Sequence, residues 1–203
     1  LIRGAWNHAI IAPEWLKKYA KSLSHRDSEL IAEMMIFPFR LRIDCGDIFV
    51  KPSQEALVIE AKLETVDIFQ RISDVSQEIC EQLPHTPING VGHNYAFELT
   101  SEEDFNLSYQ DLENTFIQGL PKALGATLNS SMTASKINYT LRFNNKPYKL
   151  NLSFETEENK KRTIRFNFHH DLYSIDSEEF RNCLKSFSEN YTTAQALKKE
   201  MVK

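Results

Sequence analysis

Hydrophobic and polar positions alternate with period two three times between Ser135 and His169, and the pattern then changes to a helical one. Ile137, Tyr139, Leu141 and Phe143 alternate with Asn138, Thr140 and Arg142, and Asn144-Asn145-Lys146-Pro147 breaks the run. Tyr148, Leu150, Leu152 and Phe154 alternate with Lys149, Asn151 and Ser153, and after a charged turn Ile164, Phe166 and Phe168 alternate with Arg165 and Asn167. Side chains on a strand point to opposite faces in turn, so this pattern predicts an antiparallel meander with one buried face. Phe180, Leu184, Phe187, Tyr191, Ala194 and Leu197 then recur every three or four residues, which predicts one helix over residues 177–201.

The first half shows a similar order. Phe37, Phe39, Leu41 and Ile43 alternate with Arg40 and Arg42, Asp44-Cys45-Gly46-Asp47 turns, and Ile48–Lys51 and Leu57–Leu63 continue as strands. Thr65 caps a helix over 65–82 whose stripe is Val66, Phe69, Ile72, Val75 and Ile79. Both halves thus read strand, strand, strand, helix, which raises a repeat of two β-β-β-α units at 37–82 and 137–201. Upstream lies an N-terminal helical segment, 1–36: a helix opening at Pro13, and a second, capped at Asp27 or Ser28, running to Met35. Gly92–Leu99 reads as a strand, 108–120 as a helix, and Ala126–Ala134 as a weakly patterned strand. The expected fold class is α+β, a single domain over 1–203. Its mostly antiparallel sheet of about six to eight strands carries helices on one face.

Composition narrows the class. Apolar residues at 41% and 13 Phe supply a core, while 6 Gly and 7 Pro leave little material for long linkers. A net charge of −4 gives no general attraction for nucleic acid. Cys45, Cys80 and Cys183 are odd in number with no CxxC spacing, as expected of reduced thiols in a cytoplasmic protein. No apolar run approaches the length of a membrane span, and Leu1–Trp6 has no signal-peptide core.

Candidate chemistry is sparse. In Phe168-His169-His170-Asp171, His169 and Asp171 share one face of a strand and His170 points with Phe166 and Phe168. A His-x-Asp pair can bind a metal or form a His–carboxylate dyad, with His93 as the nearest candidate for a third group. A strand end with His169 hydrogen-bonded at the surface and His170 partly buried explains the same residues without chemistry. His93 lies in Gly-Val-Gly-His-Asn, which is not a phosphate-cradling loop. No serine sits in a nucleophile-elbow context, and Cys183 falls on the apolar stripe of its helix. No catalytic residue, metal or cofactor is therefore expected.

The polar sheet face is the strongest functional candidate. It would display Arg40, Arg42, Lys62, Arg142, Lys149, Arg165 and His169, richer in cations than the chain as a whole. The expectation is a non-catalytic interaction or complex-subunit protein, docking a protein partner or a second copy through this face or an edge strand. The alternatives are an enzyme or ligand site around His93, His169 and Asp171, and a nucleic-acid binder on the Arg/Lys face. Phe49 is the one aromatic residue placed among those cations, which is few for base stacking.

Overall fold

The structure is a computed structural model that describes residues 1–23, 30–35, 40–99, 126–133, 136–143, 146–156, 162–172 and 177–201. It is α+β: ten strands and four α-helices are found among the described residues. In chain order these are β1 (Ile2–Gly4), α1 (Pro13–Tyr19), β2 (Ile31–Met35), β3 (Arg40–Asp44), β4 (Ile48–Pro52), β5 (Ala56–Ala61), α2 (Val66–Gln82) and β6 (Ile88–Leu99). There follow β7 (Ala126–Thr133), β8 (Lys136–Phe143), β9 (Lys149–Thr156), β10 (Arg162–His170), α3 (Glu178–Lys185) and α4 (Phe187–Met201). Every strand pair whose register is described is antiparallel. The expected helix 108–120 and the residues Phe37 and Phe39 lie outside the described residues.

The chain divides into two compact units, Leu1–Val91 with Leu172–Ser188, and Gly92–Asp171 with Glu189–Lys203. In the first, the strand order is β2-β3-β4-β5-β1-β6. Its core joins Ile43, Ile48, Val50 and Leu57 from the strands to Ile72, Val75 and Ile79 from α2 and Phe180, Cys183 and Leu184 from α3. The α2 stripe runs as its spacing predicts, except that Ile68 is buried and Val66 is exposed at the helix entry. Thr65 caps that helix, its hydroxyl accepting from the Ile68 N–H at 3.4 Å. Gly46 takes a positive φ of 88° in the β3–β4 turn, and its N–H donates to the Asp44 side chain at 2.9 Å.

In the second unit the order is β6-β10-β9-β8-β7. Phe166 stands opposite Leu152 and Phe168 opposite Leu150, while Tyr139 stands opposite Leu152 and Leu141 opposite Leu150. These side chains are buried on one face, as the alternation requires. Tyr191 of α4 packs its ring against Tyr95 and Phe97 of β6, at centroid distances of 5.6 and 6.0 Å.

Two expectations are corrected. The segment ending at Met35 is strand β2, not a helix, so 1–36 is not simply helical; it also holds β1. Ala, Glu and Met favour helices, but pairing of Ile31–Met35 with Asp44–Arg40 overrides that preference. The final helix is two, α3 and α4, separated at Ser186. There the Ser186 hydroxyl donates to the Cys183 carbonyl at 2.8 Å and its N–H turns to Asn182 and Cys183, which ends α3.

One ion pair fastens α2 to the β3–β4 turn. Asp47 is 6% exposed and accepts two hydrogen bonds from the Arg71 guanidinium, at 2.8 and 2.7 Å. Removing one partner of such a pair leaves a buried charge with less compensation. Arg71→Met is expected to lower stability by about 2–4 kcal/mol, measured by urea unfolding, whereas Lys51→Met, at an exposed pair with Glu60, is expected to cost under about 1 kcal/mol.

Candidate functional site

The cations of the polar face fall into two clusters, one in each unit. In the first unit, Phe49 of β4 lies under three cations: the Arg42 guanidinium at 4.5 Å, the Lys62 ammonium at 4.3 Å and the Lys51 ammonium at 5.6 Å from its ring centroid. Period two puts Arg42, Phe49 and Lys51 where they converge only in part. Phe49 stands opposite both Asp44 and Glu60, and the flexible cations lean inward from neighbouring positions. Each of those cations is also matched by a carboxylate. Arg42 donates to Glu33, Lys62 to Asp44 at 2.6 Å, and Lys51 to Glu60. The Lys62 hydrogen bond holds the Asp44 carboxyl below its ordinary value. The side chain of Arg40 lies outside the described residues.

In the second unit, Lys149 and His169 meet at one carboxylate. Lys149 Nζ lies 3.1 Å from Asp171 Oδ2, and His169 Nε2 lies 3.0 Å from Asp171 Oδ1. Burial acts to raise the Asp171 carboxyl, but the Lys149 and His169 hydrogen bonds outweigh it and hold the group below its ordinary value. Arg165 is paired with Glu155 at 2.9 Å. Arg142 is exposed and stands opposite Lys149 in the β8–β9 register, with Lys149 drawn instead to Asp171. Between these charges runs a chain of amides. Thr140 Oγ1 donates to Asn151 Oδ1 at 2.9 Å, Asn151 Nδ2 to Asn167 Oδ1 at 3.0 Å, and Asn167 Nδ2 to Asn94 Oδ1. This face is therefore knitted by its own hydrogen bonds, with Lys149 and Arg165 matched by carboxylates at its margins.

His93 does not join His169 and Asp171. It is buried on the opposite face of β6, with its ring 5.7 Å from that of His170 and its Nδ1 2.9 Å from the Asn190 amide of α4. Parity explains the split: His169 and His170 are successive strand residues, and His93 pairs with the buried parity. His170 is 3% exposed, and neither of its ring nitrogens has a hydrogen-bond partner. Among the described residues, no group of three His, Cys, Asp or Glu side chains could hold a metal ion. The three thiols are buried, and burial pushes Cys45, Cys80 and Cys183 each up to about 12, which keeps them protonated and poorly nucleophilic.

The strand at the outer end of the first unit has a different character. β2 pairs with β3 over Ile31–Met35, and among the described residues no strand pairs with its other side. Ile31 is 56% exposed and Met34 65%. Their numbers differ by three, so they stand on opposite faces of the strand. Edge strands are ordinarily guarded by Lys, Pro or a bulge. Ile-Ala-Glu-Met-Met has none of the first two, and its one charge, Glu33, is tied to Arg42. Sequence reasoning misses this edge because the same residues carry helix propensity. The adjacent Met34 and Met35, in a segment lacking a clean three-to-four spacing, are the signal available in the sequence.

Comparison of the chain with protein-family models, with curated proteins and with solved structures finds no match. Among the described residues no helix is long and apolar enough to cross a membrane.

The buried Asn190–His93 bond gives a direct check on this geometry. Asn190→Ala removes the amide facing Nδ1 and is expected to lower stability by about 1–3 kcal/mol. Asn94→Ala, at the exposed end of the amide chain, is expected to cost under about 1 kcal/mol. Chemical denaturation of the two variants measures both values.

Proposed function

We propose that this chain is a non-catalytic protein-interaction module that receives an extended segment of a partner protein along the side of β2 that no described strand pairs. The observation that carries this reading is the exposure of Ile31 and Met34 on a terminal strand. Addition of a strand satisfies the outward backbone groups of β2 and covers an apolar side chain on each face. The backbone supplies affinity, and the alternate side chains supply selectivity.

The charge pattern supports an edge over a face. Arg42, Lys51, Lys62, Lys149 and Arg165 each have a carboxylate within bonding distance, so the cation-enriched face offers little uncompensated field to a phosphate backbone. The enzyme alternative needs His93 beside His169 and Asp171, and these occupy opposite faces.

Site-specific photocrosslinking tests the proposal. With a photoreactive residue at position 34, an extract of the source cell is expected to yield a discrete protein adduct, and the same residue at Glu200 on α4 is expected to yield none. Adding Ile31→Lys, which puts a charge on the free edge, is expected to reduce the adduct at least about tenfold while changing stability by no more than about 0.5 kcal/mol. Equal adducts with and without Ile31→Lys would contradict docking on β2.

A further inference from the structure

Within the second unit, His170 is the one described residue whose buried side-chain nitrogens lack partners. Its ring lies 5.7 Å from that of His93 on β6 and 5.4 Å from that of Tyr148 at the entry to β9. His93 is in turn held by Asn190 of α4, which is 4% exposed, and the next residue, Tyr191, packs on Tyr95 and Phe97. The strands on either side are tied by backbone ladders. Residues 189–201 of α4 meet β6 through side chains, so they are the wall that yields at least cost.

The two rings facing His170 are uncharged and neither hydrogen-bonds it. His93 presents a second imidazole from β6, and Tyr148 a phenol that burial and the nearby Glu189 of α4 keep protonated. On its own strand, His169 and Asp171 flank it from the other face, and Asp171 is engaged by Lys149 and His169. A protonated His170 would therefore be a buried cation whose two N–H groups have no hydrogen-bond partner in the closed form.

We propose that the His93–His170 contact is an acid-sensitive latch: when His170 takes a proton, residues 189–201 of α4 lift from β6 and uncover the aromatic face formed by Tyr95, Phe97, Phe166 and Phe168. The direction follows from linkage. Burial first, and His169 second, lower His170 from 6.5 to about 4 against the opposing pull of Asp171. Burial also takes His93 well below its ordinary value. The closed form binds the proton more weakly than the open form. Closure is thus fully favoured above pH 6.5 and is lost progressively as the pH falls toward about 4.

Hydrogen exchange of residues 189–201, corrected for intrinsic rates, reads the latch at pH 7.5 and 5. The wild type and His169→Gln are expected to lose protection on acidification by at least about twentyfold, and His170→Phe by about twentyfold less than the wild type, the remainder being the share of the buried His93. Unchanged protection in the wild type, or the same loss in His170→Phe, overturns the proposal. Should His170→Phe fail to fold, NMR titration of the wild type keeps the test decisive. Opening of α4 must share its midpoint with the His170 imidazole, and opening while that ring stays neutral overturns the latch.

Discussion

Backbone pairing is the constraint on which the rest of this structure depends. A strand satisfies its N–H and C=O groups only between two neighbours, and antiparallel pairing fixes which side chains share a face. In the second unit the register that sets Phe166 against Leu152 also sets Asn167 against Asn151, so one choice builds both the aromatic face and the amide chain. A slip of one residue would exchange the two and bury the amides. In the first unit the same rule closes β3, β4 and β5 into the core with α2 and α3, and leaves β2 with one described neighbour.

Charge follows from this arrangement rather than directing it. Arg42, Lys51 and Arg165 lie beside carboxylates on adjacent strands, where cross-strand pairing brings opposite signs together. Exposed pairs of this kind contribute little to stability, but they cancel the field that a polyanion would need. Polar groups on the buried face are handled differently. His93 is answered by Asn190, while both ring nitrogens of His170 are left without a hydrogen-bond partner, an arrangement that favours the neutral ring.

Much of this was legible in the residues. The three alternating runs after Ser135 became β8, β9 and β10, the weak run at Ala126 became β7, and Thr65 caps its helix at the expected position. Parity alone separated His169 from His170. What was not legible depends on pairing between distant segments. Ile31–Met35 carries helix propensity and becomes a strand only because Arg40–Asp44 lies alongside. The buried parity of His93 requires knowledge of its register, and the compensation of Lys62 by Asp44 or Lys149 by Asp171 requires neighbours 18 and 22 residues away. The break at Ser186 depends on a hydroxyl turning to its own backbone, an option open to any serine and taken by few.

The measurement that bears most directly on this account is residue-resolved amide exchange of β2 in the isolated protein. Alternate amides of Ile31–Met35 face β3 and the others face outward, so the account predicts protection that alternates along the strand, with the outward amides exchanging near the unprotected rate. Uniform protection from Ile31 to Met35 would show that the edge is already covered and would contradict docking there.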